Sequence, residues 1–123
     1  MMNDRVSRIN SYFDGEISRC QALEAELSAD SRGDEAIFAR VRKNVFDIFK
    51  TVFSVALDRC GEDREELLRF FLARAEQIPE SWRQSLQKAE KYGDTEKAHL
   101  EDIKLGAIDE ITAAFSSLWE ETA

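Results

Sequence analysis

Apolar side chains between Asn3 and Ser28 recur at three- and four-residue intervals: Val6, Ile9, Phe13, Cys20, Leu23 and Leu27, with Ile17 beside them. That spacing is one face of a helix. Glu16 falls on the same stripe and interrupts it. The stretch "ADSRGD" supplies a turn, and Asp34 reads as the N-cap of a second helix that stops at Gly61. In this second helix, "DEAIFARVRKNVFDIFKTVFSVALDRC", apolar positions from Ile37 to Leu57 spread over roughly 200°, twice the ~100° stripe of an ordinary surface helix. It should be central, with one flank of the arc, Phe46, Phe53 and Leu57, left over as an association surface.

After Gly61, Asp63 and Glu66 have the spacing of a reciprocal capping box, and Leu67, Leu68, Phe71, Ala75 and Ile78 form the next stripe. Pro79 breaks it, because proline lacks the amide hydrogen and disfavours helical geometry in the residue before it. Ser81 and Gln84 suggest a restart that carries Trp82, Leu86, Ala89 and Tyr92 and stops at Gly93. Asp94 then caps a last helix with Leu100, Ile103, Ala107, Ile108, Ile111, Ala114, Phe115, Leu118 and Trp119 on its inward stripe.

Laid end to end, the two pieces around Pro79 match the other helices in length. The expectation is therefore a single all-α domain over residues 1–123, an up-down bundle of four rods whose third rod is broken at Pro79. A five-helix orthogonal array is the rival, since Pro79 can redirect the chain as well as bend it.

Charge narrows the partners. The formal charge is −8, and residues 94–123 hold eight acids against two lysines. Such a chain repels phosphate backbones, and "RVRK" at 40–43 is too short to reverse that, so no nucleic-acid partner is expected. No run approaches the roughly 20 apolar residues of a bilayer span, and "MMNDRVSRIN" lacks the apolar core of a signal peptide; the expectation is a cytoplasmic protein without a membrane partner. Cys20 and Cys60 stand alone, with no zinc or redox spacing. An antiparallel hairpin turning near Gly33 holds them on the order of 20 Å apart, too far for a disulfide.

The chemistry-bearing stretch is "GDTEKAHLED", with the one histidine of the chain. Glu96-x-x-His99 is the ligand unit of carboxylate-bridged di-metal bundles, and Asp102 follows at the same spacing. Such a centre needs two Glu-x-x-His pairs and two further carboxylates, so one copy of this chain cannot build it; two copies supply two pairs, with Glu16 as the extra ligand. On the helical wheel Glu96 lies about 50° and His99 about 110° from the centre of the apolar stripe, which turns His99 toward solvent. All-α nucleotide pyrophosphohydrolases resemble the chain in size and acidity and hold magnesium with Glu-x-x-Glu and a later Glu-x-x-Asp. Glu62-x-x-Glu65 is present here, but Glu-x-x-Asp is absent from the sequence, so the first pair reads as helix capping. No nucleophile has a base in sequence reach, and no cofactor is expected.

Two functional expectations follow. The favoured one is an interaction protein without catalytic chemistry, binding a protein partner or a second copy of itself. The alternative is a metal-dependent or small-ligand bundle using Glu16, Glu96, His99 and Asp102.

Overall fold

The computed structural model describes residues 2–120, with side chains from residue 4 on, and the described chain is a helical bundle. Its helices are α1 (Met2–Ala29), α2 (Gly33–Cys60), α3 (Arg64–Gln77), α4 (Glu80–Lys91) and α5 (Thr95–Glu120). They form four rods, because α3 and α4 are two pieces of one. Ile78 (φ −60°, ψ −44°) and Pro79 (φ −71°, ψ −5°) both keep helical angles, so the third rod is interrupted without reversing direction. Arg83 repairs part of the damage by donating from its guanidinium to the Glu76 carbonyl at 3.3 Å.

Successive rods run antiparallel. Lys50 meets Asp14 and Arg40 meets Glu24 across α1 and α2, and Arg5 near the start of α1 meets Trp119 near the end of α5. The second and fourth rods run parallel, since Phe38 of α2 touches His99 of α5 while Phe53 touches Phe115 and Trp119. This is up-down topology rather than an orthogonal array. The break at Pro79 divides the work of the third rod: α3 packs on α2 and α5, and α4 packs chiefly along α5.

The core is aromatic. Phe13, Phe46, Phe49, Phe53, Phe71, Phe115 and Trp119 are buried, joined by Ile9, Leu67, Ile108 and Ile111. Phe71 of α3 stacks on Phe115 of α5 at 3.8 Å between centroids, and Phe53 of α2 meets both rings edge-on. The edge-to-face contacts of Phe53 are a favoured geometry of aromatic pairs, whereas Phe71 and Phe115 lie nearly parallel and close together.

Local signals hold in part. The Asp63 carboxylate accepts from the Glu66 amide and that of Asp94 from the Lys97 amide, each at 3.1 Å, so α3 and α5 begin as expected. Gly61 and Gly93 end their helices at φ +56° and +71°, a region that only glycine enters freely. Asp34 is not a cap. The preceding turn places Ser31 at φ +59°, and α2 starts at Gly33 behind Arg32, leaving Asp34 inside the first turn. Ser81 is likewise not a cap; α4 starts one residue earlier, and the Ser81 hydroxyl donates to the Ile78 carbonyl. Leu23, expected inward, is 47% exposed. Cys20 is buried on α1 beside Arg42, Cys60 is half-buried at the end of α2, and both are free thiols.

Candidate functional site

Glu16 proves to be part of a charge cluster on three helices. Its carboxylate pairs with Arg19 one turn along α1 and lies 3.4 Å from the Arg42 guanidinium of α2, which also grips Glu110 of α5. Arg42 lies over the Phe46 ring at 4.8 Å, so its charge sits between two carboxylates and an aromatic face. Tyr12 borders the cluster. Burial first, then the charges of Glu16 and Glu110, push its phenol up to about 12. Cys20 also lies beside Arg42, and burial pushes its thiol up, opposite to the shift that makes a reactive cysteine. The cluster ties α1, α2 and α5 together and pairs each oxygen of Glu16 with a guanidinium.

His99, Glu96 and Asp102 are exposed on α5. His99 does not simply face water: its ring meets Phe38 of α2 edge-on at 4.5 Å between centroids. With Asp102, Glu90 and Asp94 it lines an open cleft of about 480 Å³ where α4 turns into α5. Glu16 is elsewhere, in the Arg42 cluster. Among the described residues no three His, Cys, Asp or Glu side chains are grouped so as to hold a metal ion, so Glu16, Glu96, His99 and Asp102 do not form a ligand set within one chain.

The expected association flank also moves. Phe46 and Phe53 are fully buried by helices of the same chain and Leu57 is partly buried against the same core. The apolar arc of α2 does exceed what the bundle covers, but the uncovered edge is the opposite one. Ile37, Ile48 and Val55 are 43%, 39% and 41% exposed, about 160° around the helix from the buried phenylalanines at 100° per residue. Val41 and Val52 lie partly buried beside them. A helical wheel gives the width of an arc but not which edge the neighbours seal.

Two buried charges escaped the sequence pattern. Glu101 is 1% exposed, on the α5 face that also carries Lys97, Lys104 and Ile108. That face is turned toward the third rod: Lys104 lies over the Trp82 ring, and Ile108 lines a cleft with Leu72, Ala75 and Arg83. Oε1 of Glu101 receives Lys104 at 3.0 Å and Lys97 at 3.5 Å, while Oε2 has no hydrogen-bond partner. The signal was present as lysines four residues before and three after a glutamate, although the same spacing is common on solvated helices. Arg5, 4% exposed, donates to the Trp119 carbonyl at 2.6 Å and stays one helical turn from Ile9 on the stripe.

No protein-family model, curated protein or solved structure matches this chain. Among the described residues no helix is long and apolar enough to cross a membrane.

Proposed function

We propose that the protein acts by contact rather than by chemistry: an interaction module whose docking surface is the open edge of α2. The observation that supports this reading is the exposure of Ile37, Ile48 and Val55 in line on the helix that otherwise supplies the centre of the core. Scattered surface aliphatics need no explanation, but three aligned on one helix, with two partly buried valines beside them, form an apolar strip broken only by Asn44 and Thr51. The candidate ligands support the same reading. Glu16 is held by Arg19 and Arg42, and His99 rests on Phe38.

A photoreactive amino acid at position 48 tests this, with one at exposed Ser11 of α1 as control. The expected result, in cells, is a discrete cross-linked product at position 48 that is absent at position 11. Identical patterns at both positions overturn the reading.

A further inference from the structure

The exposed strip has a repeat of its own. Ile37, Val41, Asn44, Ile48, Thr51 and Val55 follow one another at steps of four, three, four, three and four residues, the alternation of a coiled-coil seam. Within one chain this seam has no complete partner: Asn44 and Thr51 are exposed along with the three aliphatics.

The seam can pair with itself under reversal. Turned about a point midway between residues 42 and 43, Ile37 meets Ile48 and Val41 meets Asn44, so the two exposed isoleucines cover each other on both sides of the turning point. A two-fold dimer requires that relation, in which residue i touches j and j touches i. The border of the strip adds a charge argument. Arg40 and Asp47, both exposed, flank it on the same side, seven residues apart, and within the chain they already pair with Glu24 at 2.8 Å and Lys43 at 3.9 Å, so a mate would share these charges rather than meet free ones. The reversed mate sets Arg40 within about 3 Å, along the helix, of the level of Asp47, and does so twice; a parallel mate in register sets like at the level of like.

From these features we infer that the occupant of the strip over residues 37–48 is a second copy of this chain, with the two α2 helices paired antiparallel about residues 42 and 43 and Val55 lying beyond the paired stretch. This rests on the reading of α2 as a docking surface and names the partner. The two Asn44 side chains then fall on either side of the two-fold axis, about 5 Å apart along the helices, where a polar residue in an apolar seam selects register at some cost in affinity. The paired stretch from residue 37 to 48 is about 17 Å long and one helix wide, which places the dimer among small, readily dissociating interfaces rather than obligate ones.

Sedimentation equilibrium of the purified full chain over about 5–500 µM reads the association directly, since mass action populates a weak dimer only at the upper end. The expected result is a monomer–dimer equilibrium that Ile48→Lys weakens at least tenfold; position 48 is open to solvent, and unchanged helical circular dichroism would show that the fold survives. In a Glu24→Gln background, which removes the partner of Arg40 within the chain, Arg40→Asp and Asp47→Arg should each weaken association about threefold, and the double variant combining them should restore it, because only an antiparallel mate brings positions 40 and 47 together. A monomer at every concentration, a dimer indifferent to Ile48→Lys, or a double variant that restores nothing overturns the proposal. The mass of the product cross-linked at position 48 separates the two levels: twice the chain mass supports the second copy, a discrete product of another mass overturns it while leaving the docking surface intact, and no specific product overturns both.

Discussion

The Glu16 carboxylate, on the inward side of α1, lies 3.4 Å from the Arg42 guanidinium of α2. A carboxylate at a half-buried helical position needs such a partner, because its desolvation is otherwise uncompensated. Arg42 serves Glu110 as well, so one guanidinium neutralises two acids from two helices.

Tyr12 reports on this neighbourhood through pH. Its phenol is pushed up to about 12 from an ordinary 10, so the unfolded chain releases this proton near pH 10 while the folded chain keeps it. The contribution to stability is intact below pH 10 and is lost as pH rises toward 12. Chemical denaturation of wild type and Tyr12→Phe at pH 8, 10 and 11 should show a steeper alkaline loss in wild type. Parallel curves would mean that the phenol is not held neutral.

Glu101 separates charge pairing from burial. Lys104→Ala leaves the buried carboxylate with Lys97 alone and should cost ~1–3 kcal/mol. Glu101→Met removes the charge and the partnerless Oε2 together and should be neutral or stabilising, because apolar replacement of a buried ion pair often is. Urea melts of the two variants check this; a larger loss in Glu101→Met than in Lys104→Ala would show that the ion pairs outweigh the cost of burying the acid.

His99 should behave as a packing residue. The edge-on contact with Phe38 predicts a loss of about 0.5–1 kcal/mol for His99→Ala, more than a bare surface site gives. The loss should be the same with and without a chelator, and thermal melts in the presence of zinc, manganese or EDTA test that. Stabilisation by metal in wild type that disappears in His99→Ala would reinstate the ligand reading.

What was legible in the sequence depended on how local the cause was. Asp63, Asp94, Gly61 and Gly93 mark their helix ends through contacts within a few residues, and the structure places each as expected. Pro79 interrupts its rod for an equally local reason, a missing amide hydrogen. Asp34 and Ser81 have the right side chains for caps, yet the backbone route before them sets the helix start, as the left-handed Ser31 shows. Tertiary causes were the least visible. The arc of α2 was readable but its open edge was not, and the spacing of Lys97, Glu101 and Lys104 gives no sign that a neighbouring rod covers the carboxylate.

The divided third rod gives the molecule two unequal cohesive units. The buried phenylalanines belong to α1, α2, α3 and α5, and α4 contributes Trp82 at the margin and the small Ala89. Swinging α4 away therefore leaves the ring stack intact, and the carboxylate it uncovers, Glu101, regains water that burial had taken from it. If the rod opens along the seam at Pro79, α4 should be the segment that leaves, and its amide protons are expected to exchange at a lower free energy than those of the aromatic centre.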